Sequence, residues 1–242
     1  MNINEFKVLM NKSNNIVFFG GAGVSTESNI PDFRSEHGLY KAEDNSHYSP
    51  EEMLSHSFFV RKPRDFYKFY RGKMIYANAR PNAAHTALAE LEAQGKLKAV
   101  ITQNIDGLHQ MAGSRNVVEL HGSVHRNFCT KCRKSFDLSY TINYPEVVPV
   151  CDHCGGIIKP DVVLYEEALD NDTIESAVDY ISKAEILIVG GTSLVVYPAA
   201  GLIRYFKGKC LALINKSSTS YDSMANIVIH DSIGKVMSEV IQ

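Results

Sequence analysis

Short apolar runs alternate with amphipathic stretches along most of this chain. Ile16 to Phe19, Leu97 to Thr102, Val117 to Leu120, Glu185 to Val189, Leu211 to Ile214 and Ile227 to Ile229 have the length of strands. Ile157 to Leu164 reads the same way around Pro160. Between these runs lie helical patterns. Residues 5 to 11 form a short one before the first strand. Pro81 begins an amphipathic helix through Gln94, with Gly95 as its stop. Asp172-Thr173-Ile174-Glu175 resembles a capping box and opens a helix to about Lys183. Pro198 opens another to about Phe206, and Ser232 is the candidate cap of the last. Strands alternating with helices predict an α/β fold, a parallel sheet covered by helices on both faces. No internal repeat or low-complexity segment interrupts the pattern.

Residues 36 to 50 are polar and read as a loop, whereas residues 51 to 79 are aromatic and basic. Phe66, Phe69, Tyr70 and Lys73 follow helical spacing. Such a face could contact nucleic acid; the preferred reading is a helical module that buries its aromatic stripe and leaves its charges in water. The composition agrees. The 242 residues are 45% hydrophobic and 21% charged, and the net charge of -2 gives no general attraction to nucleic acid or an anionic membrane. The first residues lack a basic segment followed by an apolar one, and no apolar run approaches the ~20 residues of a membrane helix. A cytoplasmic protein without nucleic-acid or membrane partners is expected.

Candidate chemistry is concentrated where strands end. After Ile16 to Phe19 comes Gly20-Gly21-Ala22-Gly23-Val24-Ser25-Thr26, a glycine turn of the kind that admits a dinucleotide pyrophosphate. Thr26 stands where the usual fingerprint has its third glycine, so a tight turn without a ligand is the competing reading. In open α/β sheets ligands collect beyond the carboxyl ends of the strands. Gly20 to Ser25, Thr102 to Asp106, His121-Gly122, Gly190 to Ser193 and Asn215 should therefore converge on one crevice. Gln103 and Asn104 offer amides there, Asp106 a carboxylate, and His121 a plausible general base facing a nucleotide ribose. His85, His109 and His125 are expected to be structural.

Four of the five cysteines form Cys129-x2-Cys132-x18-Cys151-x2-Cys154, a spacing that reads as a zinc site. Four thiolates leave no open coordination position, so the metal would be structural and would hold the intervening segment to the body. His153 reads as a solvated neighbour, Gly155-Gly156 suits a knuckle turn, and Cys210 reads as a buried thiol.

Taken as an ordered set, Gly21-Ala22-Gly23-Val24-Ser25, Ile30-Pro31-Asp32-Phe33-Arg34-Ser35, Thr102-Gln103-Asn104-Ile105-Asp106, His121-Gly122, the paired Cys-x-x-Cys and Gly191-Thr192-Ser193 resemble the sirtuins, NAD-dependent protein lysine deacylases, in their compact bacterial form. The resemblance implies a Rossmann-like domain from residues 1–34, 80–124 and 161–242, a cofactor loop and helical module at 35–79, and a zinc ribbon at 125–160. It implies NAD contacts from Ala22, Thr26, Phe33, Arg34, Gln103, Ile105, Asp106, His121, Thr192, Ser193, Asn215 and Ile233, with Asn104 sharing the catalytic assignment with His121. Asp106 would receive the nicotinamide carboxamide. An acyl-lysine peptide would add as a strand between Val162 to Tyr165 and Leu194 to Tyr197, with Val163 and Tyr165 lining the acyl tunnel. Nicotinamide, O-acyl-ADP-ribose and free lysine would be the products. Protein mono-ADP-ribosyltransfer and a non-catalytic NAD-sensing module are the alternatives. Nothing in the sequence requires an oligomer, and a monomer is expected.

Two departures from the family pattern bear on the site. Asn29 replaces a usual glycine, and asparagine tolerates the left-handed backbone needed there. Leu164-Tyr165-Glu166-Glu167 replaces a more usual Phe-Phe-Gly-Glu at the tunnel mouth. Tyr70 stands where sirtuins preferring acidic acyl groups carry arginine, which favours acetyl or another neutral acyl chain.

Overall fold

In this computed structural model, which describes residues 3–33, 35, 38–39 and 48–241, the apolar runs assemble into one parallel sheet. Its strands are β1 (Ile16–Gly20), β2 (Leu97–Thr102), β3 (Val117–Glu119), β7 (Ile186–Gly190), β8 (Cys210–Ile214) and β9 (Ile227–Ile229). Their spatial order is β3-β2-β1-β7-β8-β9, the doubly wound order of a Rossmann-like fold. Neighbours pair in parallel, with Gly20 of β1 opposite both Thr102 and Gly190. The order reverses between β1 and β7, the point at which open sheets of this kind place a ligand crevice beyond the carboxyl ends of their strands.

Burial on both faces explains why these strands read as unbroken apolar runs. On one face Ile16, Phe18, Val100, Ile188 and Ala212 pack against helices α1 (Ile3–Lys12), α5 (Ala83–Ala93) and α9 (Ile233–Ile241). On the other, Val17, Phe19, Ile101, Leu187 and Leu213 pack against α8 (Asn171–Lys183) and the 3-10 helix Ala199–Tyr205.

A smaller lobe stands beside the sheet. Helices α2 (Pro50–Met53), α3 (His56–Arg61) and α4 (Pro63–Lys73) bury Phe58, Phe59, Phe66, Tyr67, Phe69 and Tyr70 in one cluster with Val124, Val162 and Leu164. The aromatic stripe is thus core, as expected, and α4 places Asp65 in its first turn and Arg71 and Lys73 in its last, complementing the helix dipole. The remainder of the lobe is an antiparallel sheet, β5-β4-β6, built from β4 (Gly122–Cys129), β5 (Ser135–Asp137) and β6 (Ile158–Val162). Two short helices, α6 (Leu108–Met111) and α7 (Leu138–Asn143), complete the described α-helices.

Several helix starts differ from the sequence expectation. α5 begins at Ala83, two residues beyond Pro81, because Asn82 is its cap: Ala84 N–H donates to Asn82 Oδ1 at 2.9 Å and Asn82 N–H to His85 Nδ1 at 3.2 Å. α8 is capped by Asp170, which accepts the N–H and hydroxyl of Thr173, both at 2.8 Å, so Asp172 lies inside the first turn. In α9 the Gly234 N–H donates to Glu27 Oε1 at 3.0 Å, while Ser232 contributes its carbonyl to Val236 N–H. The segment after Pro198 winds as a 3-10 helix. Among the described residues no helix is long and apolar enough to cross a membrane.

Candidate active site and four-cysteine centre

The crevice is closed at its base by a chain of hydrogen bonds between strand ends. β1 leads through Gly21 into the 3-10 helix Ala22–Ser28. Gly21 and Gly23 lie against the turn after β7, where Gly23 N–H donates to Gly191 O at 2.7 Å. A Cβ on Gly23 would stand 2.8 Å from Gly191 Cα and O, so this glycine is required by backbone approaching backbone. Thr26 turns its hydroxyl inward onto Gly23 O at 2.9 Å. Asn29 adopts the left-handed conformation, φ 61°, ψ 26°, so the replacement of glycine is accommodated as expected.

The loop after β2 supplies the polar side chains. Gln103 Nε2 donates to Thr192 Oγ1 at 3.1 Å, and Thr192 N–H donates to Asn215 Oδ1 at 2.9 Å. One chain of contacts therefore joins the ends of β2, β7 and β8. Asn215 Nδ2 is buried and has no partner among the described residues. Ser25, expected at the crevice only as part of the glycine turn and with no contact assigned to it, joins the site directly: its hydroxyl donates to Asp106 Oδ2 at 2.6 Å and accepts from Asn104 Nδ2 at 3.1 Å. Asp106 Oδ1 also accepts Leu108 N–H at 2.9 Å. The only signal for Ser25 was its place in the glycine turn.

His121 Nδ1 lies 2.9 Å from Gln103 O. A carbonyl can only accept, so the neutral ring carries its proton on Nδ1 and leaves Nε2 with a free lone pair. Burial pushes its pKa below the ordinary 6.5, against the opposing pull of the Gln103 carbonyl. The ring is therefore neutral near pH 7 and can take a proton at Nε2. The same residue's carbonyl accepts Val163 N–H at 3.0 Å, which ties His121 to the segment following β6.

The remaining expected site residues are more dispersed. Ala22 is half-buried and Ser193 exposed near the strand ends. Phe33 and Ile105 pack against the aromatic cluster, and Ile233 is buried at the start of α9 beside Gly190. Val162 and Leu164 turn into the core, whereas Val163 is half-buried and Tyr165 exposed. Arg34 lies outside the described residues. His85 and His109 are buried with rings 4.7 Å apart, and His125 donates or accepts at Asp106 O, 3.0 Å away; against a carbonyl, His125 Nε2 must be the donor.

The four cysteines converge. Cys129, Cys132, Cys151 and Cys154 bring their sulfurs within 4.8 Å of one another, with Cys129 to Cys154 at 3.4 Å and Cys132 to Cys151 at 3.7 Å. Ligands at ~2.3 Å in a tetrahedron stand about 3.8 Å apart, so the donor set and its spacing fit zinc. Gly156 packs where a Cβ would stand 2.8 Å from Cys129 Sγ, and Gly155 has φ +67°. His153 is exposed and outside the cluster.

A parallel sheet in doubly wound order, with a polar crevice at its reversal point and a four-thiolate lobe beside it, defines a Rossmann-like nucleotide-binding protein carrying a structural zinc site. Residues 21–198 match the model of the Sir2 family. The chain is 66% identical over 239 residues to an NAD-dependent protein deacetylase of Clostridium acetobutylicum, covering 99% of this chain and 98% of that one. It is 45% identical over 238 residues to one of Staphylococcus aureus, covering 98% and 97%. A solved structure of Sir2 bound to acetylated peptide superposes with a TM-score of 0.87 at 37% identity, covering 100% of this chain and 98% of that one. A Sir2 complex with a p53 peptide and NAD+ gives 0.86 at 38%, with the same coverage. The chain belongs to the Sir2 family.

Proposed function

We propose that this protein is an NAD-dependent protein lysine deacetylase that moves the acetyl group of a modified lysine onto ADP-ribose and releases nicotinamide. The observation that carries the reading is His121: Nδ1 is fixed on Gln103 O, Nε2 is free, and its carbonyl holds Val163. NAD, when bound, supplies the ribose carbon that accepts the acyl oxygen and the ribose hydroxyls that accept the acyl group. His121 takes a proton from those hydroxyls at Nε2 and becomes an imidazolium, whose Nδ1–H keeps donating to the Gln103 carbonyl. Asn104 holds the ribose side, in a position fixed by Ser25. Asp106, through Ser25 and the Leu108 N–H already oriented as an acceptor, receives the carboxamide. The unpartnered amide nitrogen of Asn215, at the end of β8, is a donor suited to the adenosine half, together with Thr192, Ser193 and Ile233. Ala22, Thr26, Phe33, Arg34, Gln103 and Ile105 complete the cofactor contacts.

The substrate enters as a strand beside Val163 and Tyr165. Tyr70, not arginine, occupies the position that would recognise an acidic acyl chain and is fully buried in the aromatic cluster, with the Arg71 guanidinium lying against the Tyr67 ring; the tyrosine favours acetyl as the group removed. We divide the chain into the Rossmann-like domain at 1–34, 80–124 and 161–242, the module at 35–79 and the ribbon at 125–160, and we read it as a cytoplasmic monomer. The test is incubation of an acetyl-lysine peptide with and without NAD, followed by mass. NAD-dependent loss of the acetyl group is expected from the wild type, and His121→Ala should abolish it while still binding NAD. No NAD-dependent loss from the wild type refutes the reading.

A further inference from the structure

The segment that follows β6 is fastened at every residue. Val163 N–H is held by His121 O. Leu164 N–H donates to Glu167 Oε2 at 2.9 Å. Tyr165 pairs with the chain entering α3: its N–H donates to Leu54 O at 3.0 Å and its carbonyl accepts His56 N–H at 2.9 Å. Glu167 is the anchor on the buried side. Its carboxylate takes Lys159 Nζ at 3.0 Å and lies 2.8 Å from His56 Nδ1. Burial alone would raise its pKa, but the Leu164 N–H, His56 and Lys159 together hold it below the ordinary carboxylate range.

Glu166 is the anchor on the open side, and it has two features that need a joint explanation. Its φ is +74°, a left-handed conformation that costs a residue with a Cβ and that glycine adopts freely. Its side chain is exposed and belongs to no hydrophobic cluster, yet both carboxylate oxygens are engaged on one residue of α3: Oε2 accepts Ser57 N–H at 2.8 Å and Oε1 accepts Ser57 Oγ–H at 3.0 Å. Arg61 Nη2 donates to the same hydroxyl at 3.3 Å, which completes a small network on the helix. Glycine would satisfy the backbone but could not make the two-point contact.

We infer that Glu166 is a positioning residue for the acylated substrate, its carboxylate fastening the Tyr165–Glu166 end of the segment to the start of α3 so that the substrate-pairing edge is already formed before the peptide arrives. The inference rests on the proposed deacetylase reading, since it concerns the edge that the peptide joins. Preorganising an edge lowers the ordering cost of adding a strand to it. His121 meets this segment through its backbone carbonyl and not through its ring, and the other NAD contacts lie on other loops, so the lock should act on peptide and not on NAD.

The test compares wild type, Glu166→Gly, Glu166→Gln, Ser57→Ala and the double variant Glu166→Gly with Ser57→Ala, using an acetyl-lysine peptide and NAD in steady-state deacetylation. Glu166→Gly relieves the backbone and removes the lock; it should raise the KM for peptide roughly fivefold, the ratio expected from losing one cap-type contact. Its kcat and its KM for NAD should stay within about twofold of wild type. Glu166→Gln keeps an oxygen for Ser57 N–H and should recover most of the peptide KM. Adding Ser57→Ala to Glu166→Gly should change nothing further, because the partner is already gone. An unchanged peptide KM in Glu166→Gly, a parallel change in the KM for NAD, or additive effects of the two substitutions would overturn the inference. A wild-type enzyme that leaves the peptide acetylated overturns the deacetylase reading and this inference with it, an outcome distinct from an active wild type beside an unaffected Glu166→Gly.

Discussion

Replacing His109 by glutamine should make the protein less sensitive to acid. His109 is 1% exposed, its ring is 4.7 Å from that of His85 and 6.1 Å from Phe18, and neither ring nitrogen has a partner among the described residues. Burial first, and the nearby His85 second, lower its pKa from 6.5 to about 3. His85 is lowered by burial too, against the pull of Asp106 and Glu27, so the two rings disfavour each other's charge. The sign follows from proton uptake. Below 6.5 the unfolded chain binds a proton at this residue and the folded protein does not, so acid draws the equilibrium toward unfolding. The contribution is intact above pH 6.5, is lost progressively as pH falls, and stops changing below the folded value of about 3.

The magnitude is about 1.4 kcal/mol for each pH unit, so lowering the pH from about 6.5 to about 5 costs about 2 kcal/mol through His109 alone. That is a large share of the ~5–15 kcal/mol that holds an ordinary domain together. Glutamine has similar bulk, does not titrate, and loses no hydrogen bond that His109 makes. Urea unfolding of wild type and His109→Gln at about pH 7.5 and about pH 5 gives the comparison, because carboxylate and thiolate titration is common to both proteins. The loss of stability between the two conditions should be smaller in the variant by about 2 kcal/mol. Equal losses in the two proteins would refute a neutral, buried His109.

Three further outcomes are expected. As the pH of the assay falls, kcat/KM should decline with a midpoint below 6.5, because His121 must be neutral to accept a proton and burial lowers its pKa; a midpoint above 6.5 would count against His121 as the base. Removing zinc with a chelator, followed by metal analysis and activity, should abolish deacetylation as the metal leaves, since β4 runs without a break from the residue after His121 to Cys129. Gly23→Ala should destabilise the protein by about 1–3 kcal/mol in denaturant unfolding and raise the KM for NAD, because its Cβ would meet Gly191 backbone atoms at 2.8 Å.

The parallel sheet was legible because burial on both faces leaves little room for polar residues, and the strand runs at Ile16, Leu97, Ile186 and Cys210 carry that constraint openly. Of the small sheet only β6 was legible, within the Ile157 to Leu164 run; β4 and β5 were not. β4 reads Gly-Ser-Val-His-Arg-Asn-Phe-Cys, with His125 and Arg126 exposed between buried Val124 and Asn127, and no alternation marks it as a strand. Arg126 is instead held by Glu119 at 2.6 Å and Asp161 at 2.8 Å, a three-strand ionic link that only the fold assembles. Helix starts were displaced for a similar reason. Asn82 and Asp170 cap α5 and α8 with side chains whose partners are fixed by local geometry, while Pro81 and Asp172 merely lie nearby. The zinc spacing was the most readable feature, since four ligands near in sequence must converge if they bind one ion. Ser25 was the least readable, because its partners Asn104 and Asp106 lie far along the chain.

The glycine turn after β1 changes in meaning once its neighbours are known. From sequence alone its glycines suggest room for a ligand. In the fold, Gly21 and Gly23 first make room for Gly190, Gly191 and Thr192, and the two turns bond to each other through Gly23 N–H and Gly191 O. The two turns at the sheet reversal are therefore joined backbone to backbone, with the Thr192 side chain packed against Gly21. A missing third glycine matters less under that arrangement, because Thr26 turns its hydroxyl back onto Gly23 O instead of facing outward. What the turn contributes to the chemistry is Ser25, which faces the β2 loop and holds Asn104 and Asp106 in one network. A dehydrogenase fingerprint fixes a pyrophosphate on a helix that follows directly. Here the turn winds into a short 3-10 helix that ends at left-handed Asn29, and the Ser25 hydroxyl is committed to Asn104 and Asp106 of the β2 loop. That difference suits a site that breaks the bond between nicotinamide and ribose, where an ordinary dinucleotide site would leave it intact.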